Sequence, residues 1–165
     1  MRNWLVSITG AFLILGEAPA LAATAECRID PARSRMALAL PPEALAIRNK
    51  LFLAICERDG GELIDVTDPT LGPRLEQPQH VSMPPGPVPT PPAGEPQHAG
   101  TVLLAYLIDL DGSVREVTVL ETSGYKELDE AAVETWSHAK FVAPMKLNGR
   151  SVRALSYTKM PFTVK

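Results

Sequence analysis

Hydrophobic positions recur along this chain in blocks of different period. Trp4 to Leu15 is an apolar run behind one basic residue, Arg2. From Ala44 the period is helical: Ala44, Ile47, Leu51 and Ile55 share a stripe, with Leu45 and Phe52 alongside. Pro41-Pro42-Glu43 opens that helix with proline and an acid in its first turn, and Asp59-Gly60-Gly61 stops it. Leu63 to Val66 reads as a short strand. The stripe needs a partner surface, because a lone helix of this length is marginal in water.

Further along, Thr101 to Leu110 is apolar on both faces, which predicts a central, well-covered strand. Asp111-Gly112 is a hairpin turn signal, and Val114 to Leu120 is the return strand. Val117 and Val119 point one way, Glu116 and Thr118 the other. After the break at Ser123-Gly124, Lys126 to Ala139 predicts an amphipathic helix. Its stripe is Leu128, Ala131, Ala132, Thr135, Trp136 and Ala139. Asn148-Gly149 marks a second tight turn. Val152 to Val164 is a last long strand, which Pro161 assigns to a sheet edge because proline cannot donate to a ladder. The order strand-strand-helix-strand predicts an α+β fold, a small antiparallel sheet with a helix packed on one face. Residues 99–165 are expected to fold without the rest, with Trp136 in their core.

Composition divides the chain. Residues 69 to 96 hold 10 prolines in 28 positions, so 69–98 reads as a proline-rich linker, an extended semi-rigid spacer. Residues 23–68 form an N-terminal helical segment before it. Arg2, the apolar run and Ala20-Leu21-Ala22 predict an export signal over residues 1–22, cleaved before Ala23. A retained inner-membrane anchor is the alternative, but Glu17 interrupts the run before the roughly 20 apolar residues a span requires. Export places the mature chain in an oxidising compartment, where Cys27 and Cys56, the only two cysteines, could form a disulfide.

The formal charge of −3 gives no electrostatic case for nucleic acid. Charge is nonetheless uneven. Residues 140 to 165 hold six Lys/Arg and no acid, while residues 100 to 139 hold two basic and eight acidic residues. No enzymatic site emerges. Asp109-x-Asp111-Gly112 resembles the opening of a calcium loop but lacks the later ligands. His80, His98 and His138 form no ligand cluster, Ser123-Gly124 lacks a nucleophile-elbow context, and phosphate-binding glycine loops are absent. Neither metal nor cofactor is expected, and no residue is assigned a catalytic role.

An exposed edge strand is a hazard unless it is blocked or used. A set of motifs suggests use. Gly100-Thr101-Val102, Ile108-Asp109-Leu110-Asp111-Gly112-Ser113-Val114 and Val117-Thr118-Val119 leading to Thr122-Ser123-Gly124 resemble the first hairpin of the TonB C-terminal domain. Leu128-Asp129-Glu130-Ala131-Ala132 looks like that family's helix start. Lys140-Phe141-Val142-Ala143-Pro144 with Leu147-Asn148-Gly149-Arg150-Ser151-Val152 resembles its aromatic-x-x-Pro…Asn-Gly-x-x-Val segment. The resemblance covers residues 99–165. It implies a non-enzymatic periplasmic module that binds an outer-membrane TonB-dependent receptor, or another envelope protein, by β-strand addition. Carried onto this sequence, the docking residues are Val152, Arg153, Ala154, Leu155, Ser156, Tyr157, Thr158 and Lys159. Arg153, Leu155, Tyr157 and Lys159 share one face and would select the partner. An envelope scaffold that binds peptidoglycan or another periplasmic protein, without a transport role, is the alternative. The cleaved signal in place of the usual anchor favours a soluble relative over an energy transducer.

Overall fold

The computed structural model describes residues 33–60, 62–78 and 80–164. The export signal, its cleavage point and Cys27 lie outside the described residues. Described elements begin with helix α1 (Arg35–Ala39), capped by the Ser34 hydroxyl on the Ala37 N–H. Helix α2 (Pro42–Asp59) begins and ends where Pro42 and Gly60 place it. Strand β1 (Leu63–Asp65) follows, then a 3-10 turn at Gly72–Arg74, and short strands β2 (Leu75–Glu76) and β3 (Val81–Ser82). The C-terminal part supplies β4 (Gly100–Ile108), β5 (Val114–Glu121), α3 (Lys126–Ser137), β6 (Lys140–Phe141), β7 (Met145–Leu147) and β8 (Arg150–Phe162).

The main sheet runs β2-β7-β8-β4-β5, with β1 added beside β8. Strand β4 pairs antiparallel with β5 on one side and with β8 on the other, from Gly100↔Phe162 to Ile108↔Ala154. The expected strand-strand-helix-strand order and antiparallel sheet are therefore present. Both turn signals also form. Gly112 adopts φ +81°, and a Cβ there would sit 2.6 Å from the Phe141 carbonyl oxygen, so only glycine fits. Asn148 and Gly149 both take positive φ between β7 and β8.

Each sheet face buries a different helix. On one, Val102, Leu104, Tyr106, Ile108 and Ala154 pack with Ala132 and Ala139, and the Tyr106 ring stacks on Trp136 at 4.5 Å. Trp136 is half-buried there, less enclosed than a central core residue. On the other face Leu103, Leu107, Leu120 and Leu155 meet Phe52, Ile55 and Cys56 of α2. The segment before the linker thus supplies the partner that the doubly apolar strand β4 required. Its buried stripe is Ala44, Arg48, Phe52, Ile55 and Cys56, rotated from the expected one, and Ile47 faces solvent. The rotation follows from Arg48, whose ion pair with Asp65 requires the inner face.

The proline-rich stretch also departs from expectation: it lies along the domain. Strand β3 pairs with β6, so Val81 sits opposite Phe141. Gly86 crosses α3 where a Cβ would fall 2.0 Å from the Thr135 hydroxyl, a close approach open only to glycine. His98 then stacks on Tyr125 at 3.8 Å and meets Glu127 at 2.5 Å. Proline keeps helices and long strands out of this stretch, but it does not prevent an extended chain from packing side-on.

Candidate docking edge

Strand β8 has two edges. The inner one is filled by β4 in continuous register from Ala154 to Phe162. The outer one changes character along its length. Near its start β7 pairs with it, Met145↔Val152 to Leu147↔Arg150. Next, β1 lies parallel to it, Leu63↔Arg153, Ile64↔Ala154 and Asp65↔Leu155. Beyond Leu155, no strand among the described residues pairs with the outer edge.

Backbone parity identifies the groups that this leaves open. The Val66 N–H donates to the Leu155 carbonyl at 3.0 Å, so Leu155 turns its main-chain groups outward. Alternate residues of a strand face opposite sides, so Tyr157, Lys159 and Pro161 also face outward, while Ser156, Thr158 and Met160 bond β4. Pro161 therefore costs β8 no bond to β4. The sequence placed Pro161 on an edge strand correctly, but only the second half of β8 is an edge.

The eight residues expected to dock a partner are thus divided by the fold. Val152, Arg153, Ala154 and Leu155 face strands of their own chain on the outer side. Ser156, Tyr157, Thr158 and Lys159 border the open stretch. The face assigned to partner selection is largely committed within the molecule. Leu155 is fully buried under α2. Arg153 donates through Nε to Asp109 at 3.1 Å and through Nη1 to the Gly60 carbonyl at 3.2 Å. Asp109 also pairs with Arg115. Lys159 alone of that face is exposed, and it has no ion-pair partner among the described residues. The physical reason is that α2 and β1 dock on the face and edge that residues 99–165 would otherwise leave bare.

Tyr157 joins a buried polar cluster that no motif announced. Its hydroxyl donates to Asp65 Oδ2 at 2.6 Å and accepts from Arg48 Nε at 3.1 Å. Arg48 Nη2 reaches the same carboxylate at 2.5 Å, and the Ser34 hydroxyl donates to it at 2.8 Å. Thr67 satisfies the other oxygen through its N–H and its hydroxyl. Burial alone would push the Asp65 carboxyl up, but hydrogen bonds from Thr67, Tyr157 and Arg48 outweigh it and hold the group below its usual range. Burial and the neighbouring carboxylate raise the Tyr157 phenol well above its ordinary value. The only sequence signal for this cluster was an arginine beside the expected apolar stripe of α2.

The motif residues of the C-terminal part have structural work. Asp129 accepts from the Ser123 N–H and hydroxyl, each at 2.8 Å, and from Thr122, so its carboxylate fastens the Thr122-Ser123-Gly124 turn to the first turn of α3. Residues 93–164 match the family model described as Gram-negative bacterial TonB protein C-terminal. This segment belongs to the TonB C-terminal family. Neither the curated proteins nor the solved structures contain a match to the chain. The TonB C-terminal domain is a non-enzymatic module of envelope-associated proteins that interacts with other envelope proteins, and the matched segment is of that type. Its match excludes α1, α2 and β1, which therefore lie outside the family pattern while packing on it. No helix among the described residues is long and apolar enough to cross a membrane.

Proposed function

We propose that this chain is an exported, TonB-like periplasmic protein whose C-terminal domain binds an envelope partner by strand addition along the outer edge of β8. The observation that supports this reading most is the open backbone at Tyr157 and Lys159. Main-chain bonds to these groups would give affinity, and neighbouring side chains would give register. The partner class supplied by the family is an outer-membrane TonB-dependent receptor. The cleaved signal expected over residues 1–22 would leave the protein soluble in the periplasm.

The experiment follows from parity. Lys159→Pro removes an outward N–H and leaves every bond to β4 in place. Binding of the purified protein to receptor-bearing outer-membrane vesicles is measured beside binding to peptidoglycan sacculi, with circular dichroism on each variant. Strand addition predicts that folded Lys159→Pro loses the vesicles. Unchanged vesicle binding would overturn the docking edge, and binding to sacculi alone would point to an envelope scaffold without a transport role.

A further inference from the structure

The outer edge of β8 is not only open. Beside the open stretch it already holds an added strand, the protein's own β1. Three residues pair in parallel, and the Val66 N–H adds a bond to Leu155. The carboxylate of Asp65 takes hydrogen bonds from Arg48, Tyr157 and Ser34 on one oxygen. Arg48 belongs to α2 and Tyr157 to β8, so the pocket for the carboxylate is assembled by elements other than β1.

We propose that this slot is a receptor site for an extended segment carrying a carboxylate, and that β1 is its resident self-ligand, displaced when a partner docks. The inference rests on the docking reading above and deepens it by naming the chemistry of the partner. Three features make β1 exchangeable. It is short and parallel, and parallel pairing is the weaker kind per residue. It hangs between Gly60, at φ +61°, and the turn closed by the Asp68 N–H on the Asp65 carbonyl. Finally, Tyr157 and Lys159 offer an adjoining foothold. A strand that pairs there first can advance toward Arg153 and replace β1 one bond at a time. Such a partner must bring its own carboxylate to the position opposite Leu155, because Arg48 and Tyr157 would otherwise be left buried without their acceptor.

The test uses the full chain and a labelled peptide of residues 62–68, Glu-Leu-Ile-Asp-Val-Thr-Asp, with a second peptide in which the fourth residue is Asn. In the Asp65→Asn chain the resident strand has lost its charge while Arg48 and Tyr157 remain. That chain should bind the first peptide about tenfold more tightly than the unaltered protein, and should prefer it about tenfold over the Asn peptide, the worth of one charge-assisted contact. Hydrogen exchange in the unaltered protein gives an independent reading. The Val66 amide should exchange well before the Thr158 amide. Equal peptide affinities, or Val66 exchanging only together with Thr158, would overturn the proposal. Should the Asp65→Asn chain fail to fold, the exchange measurement decides alone. If Lys159→Pro loses vesicle binding while the peptides show no preference, the docking edge stands and the resident-strand idea falls. If Lys159→Pro binds vesicles normally, the docking reading itself falls.

Discussion

The sheet has two long strands with an outer edge, and they are protected by different means. Strand β5 is distorted. Its register against β4 shifts twice, between Leu103 and Leu104 and between Ala105 and Leu107. At the second shift Glu116 adopts φ +54°, the left-handed conformation that is unfavourable for a residue with a side chain. Its rim carries Arg115, Glu116 and Glu121. Bulges and charges of this kind discourage a second chain from pairing. Strand β8 is regular over Ala154–Phe162, and its outer edge is closed by occupancy at β7 and β1, then left open at Tyr157 and Lys159. Distortion closes an edge permanently. Occupancy closes it with pairing that the proposed partner strand would have to displace.

The most severe way to break the comparison is to remove the cover. A chain beginning at residue 68 should bare Leu103, Leu107 and Leu155, at a cost of roughly 5 kcal/mol from three buried leucines. It should melt far below the full chain or self-associate; a monomer of unchanged melting temperature would show that α2 and β1 are not integral. Next in size, Asp65→Ala leaves Arg48 buried without its counter-charge and should cost ~3–5 kcal/mol by denaturant unfolding. The same carboxylate sets an acid limit. Its folded pKa lies below the ordinary value, so its contribution is fully present above about pH 4 and disappears as pH falls through the folded value. Stability of the unaltered protein should therefore fall more steeply below about pH 4 than that of Asp65→Asn.

A smaller effect distinguishes the edges directly. Leu103 lies opposite Lys159 on β8 and opposite Glu121 on β5, so charge reversals at these two positions are matched controls. Lys159→Glu should weaken vesicle binding by roughly 1 kcal/mol, as for a rim charge, while Glu121→Lys leaves it unchanged. Equal losses would show that charge alone, and not the β8 edge, governs binding. The smallest effect is expected at the bulge. Glu116→Gly relieves the left-handed strain of ~1–2 kcal/mol but gives up an exposed ion pair with Arg58. A small net stabilisation should appear as a slightly raised melting temperature.

Much of the C-terminal fold could be read from local pattern. The turns at Gly112 and at Asn148-Gly149 are dictated by residues that tolerate positive φ, and α3 by the stripe Leu128, Ala131, Ala132 and Thr135; the helix ends at Ser137, two residues before the expected Ala139. The ends of α2 could be read from Pro42, whose fixed φ suits a first helical turn, and from Gly60, which takes positive φ. The candidate docking edge was half legible. Pro161 marks an edge strand, but nothing in Val152 to Leu155 shows that β7 and β1 pair there, because a strand's partner is chosen across long separations in sequence.

What the sequence determined by itself is therefore what depends on neighbours in the chain: the elements, their turns, the motifs of a TonB C-terminal domain and the strand that offers an edge. The tertiary structure decided which faces and edges are already taken. Arg48 lies off the stripe expected for α2, and its place on the buried face is apparent only once Asp65 and Tyr157 meet it. The proline-rich stretch reads as a spacer until Gly86 settles against Thr135. Both outcomes depend on surfaces that exist only after the sheet has formed, since burial and the desolvation of a charge are properties of the assembled core and not of any local segment.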